Sequence, residues 1–322
     1  MTIQTTQSKS IPTSPEQSIL DSALSAGIVF DYSCKNGQCG ACKTTLLEGE
    51  VLELQAQIAL SEEDRENNKI LSCCCAPQTD ILIDAEDLTA LKDIEIKTSP
   101  VRINKIEKKA ATIIEIELRL PPTMNMRFLE GQYIDVIGSN GLRRSYSIAS
   151  SASDKTITLW IKKVENGKFS HYWFNNAKEN DLLRIEGPKG TFFFRNGQKK
   201  IILLATGTGI APIKSMLDKL DDSITDVGFH LYWGNRKPED FFWEPNYKNL
   251  NLQYTLVLSQ KNDGHMGAIG YVQDIVIKQH QNLENTEVYA CGSIDMIESA
   301  RALFINNGLE EKHFHSDAFV SS

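Results

Sequence analysis

The sequence predicts a multidomain chain of α+β and α/β character: a small mixed-sheet module, an antiparallel β-barrel and a parallel α/β sheet, in that order. Three observations carry this. Six of the seven cysteines fall between positions 34 and 75. Residues 101–194 hold many short strand patterns separated by turn signals. At Lys200 the pattern changes to an unbroken apolar run, Ile201–Ala205, that enters a glycine turn and then a helix. A chain of 322 residues accommodates two or three domains, and the limits are placed at 1–90, 98–197 and 198–322.

In the first module, Ser14-Pro-Glu-Gln17 predicts a helix start. Ser14 serves as cap, Pro15 takes the first helical position and Gln17 completes a capping box. Leu20, Ala23 and Leu24 give that helix one apolar face, and Gly27 ends it. Short extended pieces follow at Thr44–Leu47 and Val51–Leu54, joined by Glu48-Gly49, and Ile81–Asp84 closes the module.

The chemistry of this module lies in its cysteines. Cys34, Cys39 and Cys42 stand in the C-x4-C-x2-C spacing of a plant-type [2Fe–2S] site, whose fourth thiolate comes from far downstream. Gly37 and Gly40 suit a loop that must wrap two irons, because glycine accepts positive φ and close backbone approach. Backbone N–H groups of such a loop donate to the sulfurs. The fourth ligand is read as Cys73, with Cys75 as the alternative; in an extended segment both face one way and Cys74 the other. Zinc is the competing metal. A disulfide framework does not fit a chain of this length with an odd cysteine count.

Residues 91–98 read as a linker. The barrel strands are expected at Thr112–Leu118, Tyr133–Ile137, Ser145–Ala149, Thr156–Ile161 and Leu182–Ile185. Pro121-Pro122, Gly131, Asn140-Gly141, Asn166-Gly167 and Gly187-Pro188 supply the turns between them. Beyond Ile201–Ala205 the expected strands are Gly228–Trp233, Tyr254–Leu258 and Glu287–Ala290, with helices after Gly209 and near 271–280 and 295–306.

Two further segments carry binding chemistry. Gly207-Thr-Gly-Ile-Ala-Pro212 joins a buried strand to a helix start, where backbone N–H groups hold a pyrophosphate. Pro212 replaces the third glycine of the dinucleotide fingerprint. Arg143-Arg144-Ser-Tyr-Ser147 lies on a barrel strand, so Arg144 and Tyr146 project to one face, one suited to phosphate and the other to a flat ring. Gly167-Lys-Phe-Ser170 offers a small-residue turn that lets a phosphate approach. Taken singly, each of these segments is as well explained by ordinary scaffold.

Their order changes that. The cysteine loop, Arg144–Ser147, Gly167–Ser170, Glu186–Thr191, Gly207–Pro212, Tyr232–Gly234, Ala290–Ser293 and Ser316–Val320 together resemble the ferredoxin–NAD(P)H reductase superfamily with an N-terminal plant-type ferredoxin module. Tyr32–Gly37, Ile70–Cys74, Leu118–Thr123, Gly131–Asp135 and Leu183–Gly187 resemble its branch in 3,6-dideoxyhexose biosynthesis, the CDP-6-deoxy-Δ3,4-glucoseen reductases.

The resemblance implies a β-grasp ferredoxin module, an FAD-binding barrel and a nicotinamide-dinucleotide domain. It assigns Cys34, Cys39, Cys42 and Cys73 to the cluster. Arg144 would meet the FAD phosphates, Tyr146 the isoalloxazine and Ser147 its N5, with Gly167 and Ser170 bordering the flavin pyrophosphate. Gly207, Thr208 and Gly209 would hold the dinucleotide pyrophosphate. Cys291 and Gly292 would lie beside the nicotinamide, and Phe319 would cover the flavin face. Cys291 read alone is also a small buried strand-end residue, and Phe319 a terminal core anchor.

The implied activity is an electron-transfer reductase, NADH to FAD to [2Fe–2S] to a partner protein. By resemblance that partner is a pyridoxamine-phosphate iron–sulfur dehydrase acting on CDP-4-keto-6-deoxyglucose. The alternative acceptor is a ring-hydroxylating oxygenase, and a non-enzymatic zinc-bearing interaction protein is a third reading. Gln260, where NADPH-specific relatives often carry arginine, favours NADH; Arg236 and Lys237 leave room for NADPH. The six histidines form no catalytic group, and His313-x-His315 reads as a surface strand end.

Charge narrows the partners. Residues 1–90 hold 5 Lys+Arg against 14 Asp+Glu, a net −9, and the remainder hold 29 against 28. That argues against nucleic acid and allows an acidic docking face including Glu62, Glu63, Asp64 and Glu66. No apolar run approaches the ~20 residues of a membrane helix. With no leader pattern at the N-terminus, a cytoplasmic location is expected.

Overall fold

The structure is a computed structural model, described here for residues 1–138, 141–195, 200–222, 227–260 and 267–319. Asn140, the domain limits at 197 and 198, and Val320 lie outside the described residues. The chain divides into two compact units: Met1–Ile94 with Gly190–Phe192, and Glu95–Lys189 with Phe193–Phe319.

The first unit runs β1 (Thr2–Thr5), β2 (Ser10–Pro12), α1 (Ile19–Ser25), β3 (Lys43–Glu48), β4 (Val51–Glu53), α2 (Glu62–Glu66), β5 (Lys69–Leu71), β6 (Cys75–Pro77) and β7 (Ile81–Asp84). Its five-stranded sheet has the order β2-β1-β7-β3-β5, and β4 pairs with β6 separately. Only the central β1–β7 pair is parallel. With α1, this is a β-grasp arrangement. Ile3, Ile11, Ile19, Leu20, Leu71 and Ile83 are fully buried in its core.

Helix α1 begins later than the sequence suggests. Ser18, not Ser14, is the cap: its Oγ accepts from Asp21 N at 3.0 Å and donates to the Asp21 carboxylate at 2.8 Å. A carboxylate reciprocates the serine better than the neutral Gln17, whose N–H instead closes a turn onto the Ser14 carbonyl. Gly27 ends the helix at φ +72°. Thr191, supplied from far along the chain, completes this unit. Its Oγ1 accepts from Tyr32 N at 3.0 Å, with Asp31 Oδ1 at 2.9 Å as its acceptor.

Asp64 is not part of a free acidic face. It is buried, forms the capping box of α2 with Ser61, and pairs with Lys43 at 2.8 Å and Lys69 at 3.6 Å. Of the four acidic residues named for docking, Glu62, Glu63 and Glu66 stay exposed.

The second unit opens with β8 (Lys97–Ala110), β9 (Ile113–Arg119), β10 (Tyr133–Ile137), β11 (Arg143–Ser147), β12 (Ile157–Lys162), the short helix α3 (Lys168–His171) and β13 (Leu182–Lys189). All pairs in the sheet β11-β10-β13-β8-β9-β12 are antiparallel. An Ile148–Leu159 bridge joins the two ends, so the sheet closes as a barrel. Strand β8 starts inside the expected linker. Its first inward residue is Ser99, so apolar alternation becomes visible only from Val101 and Ile103.

There follow β14 (Lys200–Thr206), α4 (Ile210–Asp221), β15 (Gly228–Asn235), β16 (Asn251–Leu258), β17 (Ala268–Ile269), α5 (Val272–Gln279), β18 (Thr286–Ser293), α6 (Ile294–Ile305) and β19 (Phe314–Phe319). The sheet β17-β16-β15-β14-β18-β19 is wholly parallel. The chain leaves β14 to one side and returns on the other at β18, which makes the C-terminal ends of β14 and β18 the topological switch point. Barrel and sheet are bonded within this unit: Ser215 Oγ donates to the Ser150 carbonyl at 2.6 Å, and Lys214 Nζ to that of Ala149 at 3.1 Å.

His315 is not at the surface. It is buried in β19 with Nε2 2.8 Å from Glu287 Oε1, and its ring packs 4.9 Å from that of Tyr289. The parallel β18–β19 pairing brings an edge strand under cover, which local sequence does not reveal. Among the described residues no helix is long and apolar enough to cross a membrane.

Asp64 gives a test of the first unit. Burial alone would raise its pKa, but hydrogen bonds from Lys43 and Ser61 outweigh this and hold the carboxyl below its ordinary value. A carboxylate depressed in the folded state stabilises above its unfolded pKa and loses that contribution as pH falls through the folded one. Asp64→Ala is expected to lower stability by about 2 kcal/mol at pH 7. The shift in urea midpoint should shrink steadily below about pH 4, near the unfolded carboxyl pKa.

Candidate functional site

Loop 33–42 turns tightly enough to need three left-handed residues, Lys35 (φ +58°), Gly37 (+77°) and Gly40 (+70°). At Gly37 the absence of a side chain is obligatory. A Cβ there would strike the Ala56 carbonyl oxygen and stand 2.9 Å from Cys74 Sγ. The loop carbonyl of Gly37 accepts from Ala59 N at 2.9 Å, and Gln55 Nε2 donates to the carbonyls of Lys35 (3.1 Å) and Cys73 (3.0 Å).

The folded loop brings four thiols together in two pairs. Cys34 N donates to Cys39 Sγ at 3.5 Å, and Cys42 Sγ lies 3.3 Å from Cys73 Sγ. Hydrogen bonding from Cys39 and from Asn36, Gln38 and Cys39 backbone N–H groups draws Cys34 down to about 5, despite burial. Hydrogen bonding from Cys42, then from Cys74 and the Gly37 N–H, draws Cys73 down to about 7 despite burial, while the sulfur partners Cys39 and Cys42 are pushed up. In each pair one thiol is thus drawn down and its neighbour pushed up, so the two titrate together, and metal binding requires both to lose their protons.

Two thiolates per iron is what a binuclear cluster takes, whereas one zinc needs four converging ligands. Among the described residues no group of three or more His, Cys, Asp or Glu side chains is placed to hold a single metal ion. The Ser72 hydroxyl, buried beside Cys73, has no hydrogen-bond partner there. Residues 72–74 form a turn, so the alternation expected of an extended segment does not apply. Cys73 meets Cys42, whereas Cys75 stands in β6 opposite Glu53, where burial raises its pKa to about 12. The paired thiols and the side-chain-free cradle fit a [2Fe–2S] cluster.

In the barrel, β11 presents Arg144 and Tyr146 half-buried on one face and buries Ser147. Arg143 is engaged by Glu186 at 2.7 Å, while Arg144 folds back onto the Arg143 carbonyl at 2.9 Å. Tyr146 is fixed by Trp173, which donates its indole N–H to the phenol oxygen at 2.9 Å. Burial pushes Tyr146 up to about 12, so it stays a neutral phenol. Gly167 begins α3, and Ser170 Oγ accepts from Val164 N at 2.8 Å, closing the turn. An open cavity of about 690 Å³ lies over Lys163, Gly167, Ser170 and His171. A half-buried arginine beside a clamped aromatic and a small-residue turn fit a flavin with its phosphates.

At the switch point the backbones touch. A Cβ on Gly209 would strike the Cys291 carbonyl oxygen, and one on Gly292 (φ +147°) would strike Thr206 Oγ1. Thr206 Oγ1 accepts from Ser293 N at 3.2 Å, and Trp233 Nε1 donates to the Gly207 carbonyl at 2.9 Å. No side chain caps α4, so its first N–H groups face the crevice with Thr208 and Gly209 beside them. Pro212 sits in the first turn, where a missing N–H loses no helical bond. These features fit a dinucleotide pyrophosphate.

Cys291 itself is fully buried, its pKa raised by burial, and in register with Asp317. Phe319 is 38 % exposed at the end of β19, a position a core anchor would not take. Gln260 is exposed just beyond β16. Sequence reasoning assigned no role to Gln55, Trp173 or Thr206, although Thr206 heads the glycine turn and Trp233, which bonds that turn, lay in a quoted motif.

Comparison with known proteins covers all three regions. The 2Fe-2S iron-sulfur cluster binding domain matches residues 3–78, the oxidoreductase FAD-binding domain 100–194 and the oxidoreductase NAD-binding domain 203–302. The CDP-6-deoxy-L-threo-D-glycero-4-hexulose-3-dehydrase reductase of Yersinia pseudotuberculosis is 44% identical, over 94% of this chain and 93% of its own. Reductase component 1 of the terephthalate 1,2-dioxygenase of Comamonas is 31% identical, over 97% and 94%. The crystal structure of the Amycolatopsis cytochrome P450 reductase GcoB superposes with a TM-score of 0.74 over 99% of both chains, at 22% identity, a likeness of fold.

Gly209→Ala is expected to weaken NADH binding at least tenfold, about 1.4 kcal/mol, with flavin content unchanged. A fluorescence titration checks this. The chain belongs to the family of the dehydrase reductases of deoxysugar biosynthesis, NAD(P)H-dependent oxidoreductases built from [2Fe–2S], FAD-binding and NAD-binding domains.

Proposed function

We propose that this chain takes a hydride from NADH and delivers the electrons singly to a partner dehydrase acting on a CDP-4-keto-6-deoxyhexose. The observation that carries this is 44% identity, across nearly the whole length of both chains, to a reductase named for such a dehydrase. When bound, FAD takes the electron pair and the cluster passes electrons one at a time. The domain limits are proposed at 1–90, 98–197 and 198–322, and the working compartment as the cytoplasm, consistent with seven free cysteines.

The chain's own residues have distinct tasks. Cys34 and Cys39 would hold one iron, and Cys42 and Cys73 the other. Arg144 would neutralise flavin phosphate, Tyr146 would orient the ring under the Trp173 hydrogen bond, and Ser147 would bond near N5. Gly167 and Ser170 would shape the turn against the flavin pyrophosphate. Gly207, Thr208 and Gly209 would bind the dinucleotide pyrophosphate at the α4 N-terminus, and Cys291 and Gly292 would border the nicotinamide. Phe319 would cover the flavin face until the nicotinamide arrives. No acid–base dyad is called for.

A second reading, an oxygenase as electron acceptor, draws support from the 31% identical terephthalate dioxygenase component. Coupled turnover with a CDP-4-keto-6-deoxyglucose dehydrase and with a ring-hydroxylating oxygenase separates the two. Efficient support of the dehydrase is expected; support of the oxygenase alone would overturn the proposal. Cys34→Ser, Cys39→Ser and Cys42→Ser should abolish delivery to the protein acceptor but largely spare NADH-to-ferricyanide activity. Gln260 supports NADH over NADPH, with kcat/KM expected at least tenfold higher for NADH, about 1.4 kcal/mol; the reverse order in steady-state kinetics would refute this.

A further inference from the structure

Cys74 is the one cysteine of the 73–75 run with no task in the proposed mechanism and no place in a strand. It is fully buried inside the cluster loop, directly under Gly37, whose missing Cβ leaves room for its sulfur. Its backbone is held on both sides. The N–H donates to the Leu71 carbonyl at 2.8 Å, and its own carbonyl accepts from Leu54 N at 2.8 Å. The Cys74 sulfur lies 3.5 Å from Cys73 Sγ and 3.8 Å from the Ala56 carbonyl oxygen.

From this geometry we infer that Cys74 is a positioning residue, not a ligand: its S–H donates to the Cys73 thiolate and raises the reduction potential of the cluster. The inference rests on the assignment of Cys73 as a ligand. A ligating Cys73 has no proton to give, so in the Cys73–Cys74 contact the donor must be Cys74. A thiolate is also a stronger acceptor than the more distant Ala56 carbonyl. Hydrogen bonds to cluster sulfurs tune potential because a reduced cluster carries one more negative charge, and a donor stabilises that form most. The gap between the Cys73 and Cys74 sulfurs sits in an apolar core that includes Ile70 and Leu71, where water does not compete.

The test is an EPR-monitored redox titration of the cluster in the full-length holoprotein, comparing wild type with Cys74→Ala and Cys74→Ser. Cys74→Ala should keep two irons and two sulfides per chain but lower the reduction equilibrium about tenfold, 59 mV for one electron. Cys74→Ser retains a donor and should recover most of that shift. Resonance Raman of the Fe–S stretches in D₂O should show an isotope shift in wild type that Cys74→Ala lacks. An unchanged potential in Cys74→Ala would overturn the inference. So would cluster loss in both Cys74 variants with retention in Cys73→Ser, which would make Cys74 the ligand. A wild-type chain that assembles no cluster would instead refute the cysteine assignments themselves.

Discussion

The Cys42–Cys73 sulfur contact ties loop 33–42 to the turn that follows β5, and the surrounding fold is arranged to keep that contact short. Ser72 N donates to the Cys42 carbonyl at 3.1 Å, so backbone and side chains are linked at the same place. Gln57, buried, sends its Oε1 to Leu71 N at 2.7 Å and holds β5 from the other side. Three left-handed residues then let the loop return to the same point from above. Sulfurs held this closely repel when both are ionised, and the apolar surroundings raise that penalty. A compact, hydrogen-bonded frame thus keeps together groups that would otherwise separate, which is the preorganisation a metal centre needs.

The second unit solves a similar problem with backbone alone. Its crevice needs donors that reach a phosphate without side chains in the way. Gly209 against Cys291 and Gly292 against Thr206 achieve this by bringing two parallel strand ends within van der Waals distance. The barrel supplies the facing wall through Lys162, whose ammonium lies near Gly207 and pairs with Asp240 at 3.6 Å. Aromatic packing of Trp160 on Phe242 (5.0 Å) and Trp243 (5.9 Å) makes the same junction rigid. Geometry at the crevice is therefore a property of barrel and sheet together.

Much of this was legible in the sequence because it is local. The cysteine spacing, the strands Tyr133–Ile137 and Ile81–Asp84, and the helix following Gly209 follow from patterns a few residues long. What escaped depends on contacts between distant segments. The start of β8 hid because Ser99 replaces an apolar residue on the inward face. His315 looked exposed until β19 paired with β18 and placed it against Glu287. Trp173, which fixes Tyr146, is 27 residues from it, and nothing in either neighbourhood announces the bond. Cys73, read as the fourth thiol, lies 3.3 Å from Cys42 Sγ, and the strand alternation that would have set Cys73 and Cys75 on one side is absent in the turn that carries it.

Thr191 has a consequence for how the molecule is made. The unit holding the thiol pairs is discontinuous: its Gly190–Phe192 segment follows Ile94 by nearly a hundred residues. On the ribosome, Tyr32 and Asp31 lack their hydroxyl partner until Thr191 has emerged, roughly 8–32 s later at ~5–20 residues per second. During that interval the loop preceding Cys34 is held by fewer bonds than in the finished chain. Metallation that waits for the closed unit is thereby timed by translation of the barrel, and a gene fragment ending near residue 94 would yield a module with its entrance unlatched.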